Sequence, residues 1–172
     1  MLLLADTSRY TRGAISVVAT LAQLAAAIAL LAVAGGGVPG VWPDGVGVYL
    51  VGDWPAPFGI VLVVDRLAAV MLTLTAVLGL ATLIYALARW DRAGVHFHSL
   101  FQFLLMGLNG AFLTGDLFNL FVFFEVLLAA SYGLLLHGSG VARVSAGLQY
   151  IAVNLVASFL LLISIALIYG VT

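Results

Sequence analysis

The sequence contains no cysteine and no lysine, and only 8% of its 172 residues are charged. Without cysteine the chain offers no thiolate iron–sulfur ligation, no disulfide framework and no cysteine zinc site. Without lysine, and at a net charge of −1, it has no polybasic face for nucleic acid or anionic lipid. A third absence is chemical. No nucleophile–base constellation, phosphate-cradling loop or Gly-x-Gly-x-x-Gly fingerprint in a strand–helix setting is present, so enzymatic catalysis has no seat and no cofactor is implied.

What fills the chain is apolar. Hydrophobic residues make up 65% of it and the mean hydropathy is +1.25, whereas soluble domains are roughly 45–50% apolar and about 25% charged. This is the composition of an all-α integral membrane protein. Apolar runs at about 13–34, 67–88, 94–115, 117–136 and 146–169 predict about five spanning helices, because ~20 residues rising ~1.5 Å each cross a ~30 Å hydrocarbon core. Before the first run, Arg9 and Arg12, with Ala32-Val33-Ala34 at its end, imitate a secretory signal. A run of about 22 residues exceeds the usual apolar segment of about 7–15, so a retained span is expected.

Arginine placement orients these spans, since positively charged loops stay in the cytoplasm. Arg9 and Arg12 precede the first span, Arg89 and Arg92 follow the second, and Arg143 lies between the fourth and fifth. The alternate connections hold only Arg66. A cytoplasmic start and an outward end follow. The connection 35–65 is the one substantial extramembrane stretch, opening with Gly35-Gly36-Gly37 and carrying four prolines. Within it, valine-rich runs at 46–51 and 60–64 bracket the turn 52–59, predicting two short strands on the outer face. Trp42, Trp54 and Phe58 suit the interface. Asp65, just before the second span, is placed to cap it.

Inside the membrane the sequence is punctuated by polar residues, and Glu125 is foremost among them. It sits near the middle of the run 117–136, where an ionisable group costs roughly 2.5–3.5 kcal/mol on insertion scales and needs a protein interior, a water path or a counter-charge. Helical geometry puts Phe118, Phe121, Ala129 and Tyr132 on its face and leaves Leu120, Phe123, Leu127, Ala130 and Leu134 for lipid. Such a group can load and release protons; the alternative is a permanently protonated acid serving only as interhelical glue.

The third span presents His98, Gln102, Asn109 and Asp116 at intervals of four, seven and seven, a polar face running its whole length. Either this is a proton path, or Gln102 and Asn109 bond a neighbouring helix admitted by Gly107 and Gly110. Tyr150, Asn154 and Ser158 repeat the pattern more weakly in the fifth span, where packing is the simpler reading. His96 and His98 lack a third ligand or a nearby carboxylate in the sequence, so no metal is expected; His98 marks the cytoplasmic foot of the stripe. His137 stands at the inner end of the fourth span, as a proton-exchanging group or an interface residue.

The segment 107–132, with Gly107-Leu108-Asn109-Gly110, Thr114-Gly115-Asp116-Leu117-Phe118-Asn119 and Phe123-Phe124-Glu125-Val126 continuing to Ala130-Ser131-Tyr132, closely resembles the D-type subunit of Mrp-type multisubunit monovalent cation/proton antiporters. Gly52-Asp53-Trp54-Pro55-Ala56-Pro57-Phe58-Gly59-Ile60, Asp65-Arg66-Leu67 and Asn154-Leu155-Val156-Ala157-Ser158-Phe159 resemble it too. That family is related to the antiporter-like subunits of respiratory complex I. The resemblance implies that Glu125 handles protons, with His98, Gln102, Asn109, Tyr132, Asn154 and Ser158 as proton-path candidates. It implies as partners the other subunits of an antiporter complex, membrane lipid, protons and Na+ or K+, in a bacterial inner membrane. Family members are about three times longer, with about fourteen helices around two inverted repeats. The chain therefore reads as a piece: 1–4 as the remnant of a first helix, 1–93 as two N-terminal helices with their outer loop, and 94–172 as the first three helices of a truncated repeat. The family's lysine partner for the glutamate would lie beyond Thr172. A redox-driven pumping subunit of complex I or a membrane-bound hydrogenase, and a non-transporting scaffold, are the competing readings.

Overall fold

The computed structural model describes residues 9–38, 40–54, 59–94, 96–138 and 140–171. The expectations for 1–4 and for Pro55, Pro57 and Phe58 lie outside those residues, as does that for the side chain of Arg9. Among the described residues, five helices and one hairpin follow in the order α1 (Arg9–Ala34), β1 (Gly47–Leu50), β2 (Val61–Val64), α2 (Arg66–Arg89), α3 (Phe97–Leu113), α4 (Leu117–Leu135) and α5 (Val141–Val171). Short 3-10 turns follow β1, at Val51–Asp53, and α2, at Trp90–Ala93.

Each junction has a local cause. The first helix ends where Gly36 takes a positive φ of 84° and the amides of Gly36 and Gly37 turn back to the carbonyls of Val33 and Ala32 at 3.0 and 2.8 Å, a glycine stop that satisfies otherwise orphaned acceptors. Asp65 accepts from the Ala68 amide at 2.7 Å and so caps α2. The neighbouring Arg66 donates to the carbonyls of Ala34 and Gly35, both at 3.1 Å. Arg66 is thus committed to the C-terminal end of α1, which explains why one arginine stands apart from the rest. Asp116 accepts from the Asn119 amide at 2.7 Å and starts α4. The periodic stripe assigns Asp116 to the third span; that helix stops at Leu113 instead, freeing Thr114 to Asp116 to turn the chain and cap its successor.

The hairpin pairs antiparallel with Gly47 opposite Val64 and Leu50 opposite Val61. It is narrower than 46–51 and 60–64 because Val51 enters the 3-10 turn. The Gly115 amide donates to the Val61 carbonyl at 2.8 Å, tying the hairpin to the α3–α4 connection. Both connections therefore meet at the same end of the bundle. The opposite end gathers the start of α1 and the end of α2, where Gly13 lies against Leu87, and Arg143 of α5, whose guanidinium sits 5.2 Å from the Trp90 ring centroid.

Among the described residues, four helices are long and apolar enough to cross a membrane: Tyr10–Ala34, Arg66–Ala93, Leu117–Leu135 and Arg143–Val171. The third, Phe97–Leu113, is apolar but has 17 residues, about 25 Å of rise, at the short end of spanning length. The fifth exceeds expectation in the other direction: its 31 residues begin at Val141, because Arg143 and Ser145 are tolerated in the opening turns of a helix. The closest packing joins α1 with α2 and α3 with α4, and α2 with α3 links the pairs. Leu83 and Ala86 of α2 with Phe97, Phe101 and Leu105 of α3 form the apolar core, flanked by Val17, Leu87 and Leu134. The protein is a multi-pass helical membrane protein.

Candidate functional site

Glu125 is half-buried on α4. Its Oε1 is shut away from solvent with no hydrogen-bond partner among the described residues. The position of this carboxylate is set by two close approaches between α3 and α4. A Cβ on Gly107 would lie 2.7 Å from the Leu127 backbone nitrogen, and one on Gly110 would lie 2.1 Å from the Phe123 ring. Glycine at both places lets the helices meet one residue layer above and below Glu125. Leu127 and Phe123, expected to face lipid, are instead partly buried against these glycines, since the lipid assignment from one helix could not include the neighbour that the glycines admit.

Tyr132 lies two turns along from Glu125 and packs edge-on against Tyr150 of α5, ring centroids 5.7 Å apart. The Ser131 hydroxyl and that of Tyr150 are 3.4 Å apart. Asn154 donates its amide to the Tyr150 carbonyl at 2.8 Å, within α5, and Ser158 is half-buried one turn further on. Glu125, Tyr132, Asn154 and Ser158 thus belong to α4 and α5.

The α3 stripe faces the other way. Gln102 donates its Nε2 to the Ser16 carbonyl at 3.2 Å, the Ser16 hydroxyl at 3.0 Å and the Thr20 hydroxyl at 3.1 Å. Its Oε1 accepts from Gln23 Nε2 at 3.3 Å. Asn109 lines a cavity of about 140 Å³ with Gln23 of α1 and Leu72 and Ala76 of α2. His98 is buried, its Nε2 3.8 Å from the Asp91 carboxylate and its ring 5.4 Å from that of Phe97. These residues share the cleft between α1, α2 and α3. Gly107 and Gly110 therefore do not serve Gln102 and Asn109: they admit α4, while the amides meet α1 and α2 on a different face of the same helix.

His96 is exposed beyond the start of α3. His137 is buried at 7% exposure, with a ring nitrogen 3.2 Å from the Trp90 carbonyl, and Gly94 leaves the space its ring fills. Arg143 donates to the His137 carbonyl. Four polar participants are not singled out by the sequence alone: Ser16, Thr20, Gln23 and Asp91. The first three recur at intervals of four and three, a helical stripe that was there to be seen. Nothing local marks Asp91 as buried, since it stands between Arg89 and Arg92 in what reads as a solvated turn.

Apolar spanning helices, a half-buried carboxylate on α4 and a polar stripe on α3 facing α1 and α2 define the class as a multi-pass helical membrane protein with ionisable and polar groups among its helices, and comparison with known proteins narrows it. Residues 114–172 match the family described as NADH:quinone oxidoreductase/Mrp antiporter, TM. The chain is 61% identical over 165 residues to a probable K(+)/H(+) antiporter subunit of the D type from Rhizobium meliloti, covering 96% of this chain and 30% of that protein. It is 45% identical over 134 residues to the D-type Na(+)/H(+) antiporter subunit of Alkalihalophilus pseudofirmus, covering 77% and 27%. Among solved structures, the Mrp complex from Dietzia sp. DQ12-45-1b superposes with a TM-score of 0.84 at 40% identity, over 95% of this chain and 30% of that one. An archaeal respiratory membrane complex, the membrane-bound sulfane sulfur reductase, superposes at 0.78 and 29% identity over 93% and 32%. The chain belongs to the D-type subunit family of Mrp-type monovalent cation/proton antiporters. It spans about 30% of the length of the curated relatives it matches, and those named relatives are antiporter subunits, transporters and not enzymes.

Proposed function

We propose that this chain is part of a subunit of a multisubunit monovalent cation/proton antiporter in the bacterial cell membrane, and that Glu125 carries protons through it. The observation that supports this most is the 61% identity to a probable K(+)/H(+) antiporter subunit across 96% of the chain. Potassium is accordingly the first cation to test, ahead of the sodium named for the relative at 45% identity. The partners are the other subunits of the complex, protons and surrounding lipid. The end bearing Arg12, Arg89, Arg92 and Arg143 faces the cytoplasm, because arginine-rich connections are retained there.

In this mechanism Glu125 alternates between charged and neutral forms. An approaching cationic side chain favours the carboxylate, and its departure favours the acid. The shielded Oε1 of Glu125 leaves the carboxyl free to exchange with such a partner instead of being held by a fixed donor. Tyr132, on the Glu125 face of α4, supplies a hydroxyl, Asn154 and Ser158 supply an amide and a hydroxyl on the neighbouring α5, and His98, Gln102 and Asn109 supply the second polar line. The test is cation-dependent dissipation of a proton gradient in everted vesicles from an antiporter-deficient host expressing the full-length complex. Potassium-dependent proton movement supports the reading, and no response to potassium or sodium overturns it. The likeness to the sulfane sulfur reductase complex favours a second reading, a redox-driven pumping subunit; proton movement that needs an electron donor and no cation would select it.

A further inference from the structure

The amide orientations in the α1–α3 cluster follow from their neighbours. The Ser16 carbonyl can only accept, and the Thr20 hydroxyl spends its proton on that same carbonyl at 2.9 Å. Gln102 must therefore present its NH2 to Ser16 and Thr20, which turns its Oε1 towards Gln23 and obliges Gln23 to donate in turn. Gln23 is left with a buried Oε1 that has no donor among the described residues, and the same holds for Oδ1 of Asn109. Both residues line the cavity of about 140 Å³ between α1, α2 and α3, far more than the roughly 15 Å³ that one water needs. Two acceptors lacking donors beside one cavity call for a ligand that brings hydrogens. Among the described residues no carboxylate lines that cavity, so a bare cation would be poorly compensated there and water fits best. The oxygens are shielded in the present packing, so reaching water in that cavity takes a rotation of the two side chains.

The same cleft continues towards the arginine-bearing end. Beyond Ser16 and Gln102 lies the His98–Asp91 pair, and Asp91 lines a second, larger cavity of about 470 Å³ with Tyr10, Gly13 and Leu87. We propose that the α1–α2–α3 cleft is a hydrated compartment within the membrane, with water bridging Gln23 and Asn109, that forms a proton route distinct from the α4–α5 face of Glu125. Its role in proton delivery rests on the antiporter reading; its hydration does not.

The experiment uses the full-length complex in membranes, with labelling at each introduced cysteine read against the same complex without it. A thiol reacts as thiolate, which requires water. Ala76→Cys, lining the cavity, is compared with Val77→Cys, at the same depth on the exposed surface of α2, using N-ethylmaleimide. At least tenfold faster labelling at position 76 is expected, with Ala27→Cys as a second probe of the same cavity should the first fail to assemble. Rates at 76 and 27 no faster than at 77 would show a dry cavity and overturn the proposal. Adding Asn109→Leu should slow labelling at 76 severalfold; an unchanged rate would remove Asn109 as the residue that holds the water. Finally, Asn109→Leu with Glu125 intact should slow antiport severalfold. Clear labelling with an undiminished antiport rate would leave structural water only and refute the route, whereas absence of antiport in the parent complex would fault the antiporter reading and leave the hydration result standing.

Discussion

Replacing Gly107 with alanine tests the contact that places Glu125. The added Cβ would stand 2.7 Å from the backbone nitrogen of Leu127 and 2.8 Å from its Cα and Cβ. Non-bonded heavy atoms prefer about 3.5–4.0 Å, so α3 and α4 would have to separate by about 1 Å at that level. The opposing atoms are mainly backbone and cannot rotate aside. Overpacking of this kind costs about 1–3 kcal/mol, and alanine returns up to about 1 kcal/mol through its better helix propensity, leaving a net loss of up to about 2 kcal/mol. The assay is the thermal unfolding midpoint of the detergent-purified full-length complex. Gly170→Ala is the comparison, because among the described residues a Cβ there meets nothing within 4 Å, and the substitution should keep or raise the midpoint. Since Leu127 is two residues from Glu125, Gly107→Ala should also reduce antiport per assembled complex. A midpoint for Gly107→Ala equal to or above that of Gly170→Ala would refute the close-approach argument.

Other substitutions probe the remaining joints. Gln102→Leu strips the partners from Ser16, Thr20 and Gln23 and should cost about 1–3 kcal/mol, the penalty of buried polar groups left unpaired, read as a lower unfolding midpoint; an unchanged midpoint would mean the cluster contributes nothing to holding α1 on α3. Asp65→Ala removes the α2 cap at Ala68 and should cost about 1 kcal/mol, whereas Asp65→Asn should restore most of it, with both measured by the same unfolding assay.

Much of this architecture was legible in hydropathy and in a few junction residues. The spans declare themselves because a bilayer demands long apolar runs, and Asp65 and the Gly35-Gly36-Gly37 stop mark helix ends by chemistry that acts within a single turn. The hairpin was visible for the same local reason, its valine runs flanking a turn. Errors came where an outcome depends on a neighbour distant in sequence. Asp116 fits the periodicity of α3 yet caps α4, since α3 ends at Leu113 and the Gly115 amide, just beyond it, bonds the Val61 carbonyl of the hairpin. Periodicity placed Gln102 and Asn109 on one stripe but said nothing of which helix the stripe would meet. That partner proved to be α1, whose own stripe of Ser16, Thr20 and Gln23 is complementary in hydrogen-bonding capacity. Asp91 was hidden by its arginine neighbours, its burial being a property of the packed helix ends. Glu125 itself was conspicuous because a carboxylate in an apolar run has no bland environment to disappear into.

The central claim is that Glu125 carries protons, and Glu125→Gln addresses it most directly: the amide keeps size and hydrogen-bonding capacity while abolishing titration. Antiport would be measured in everted vesicles bearing the full-length complex, wild type against Glu125→Gln, at matched membrane abundance. Loss of cation-dependent proton movement with normal assembly is the predicted result; transport at the wild-type rate would contradict the account and reduce Glu125 to a buried structural acid.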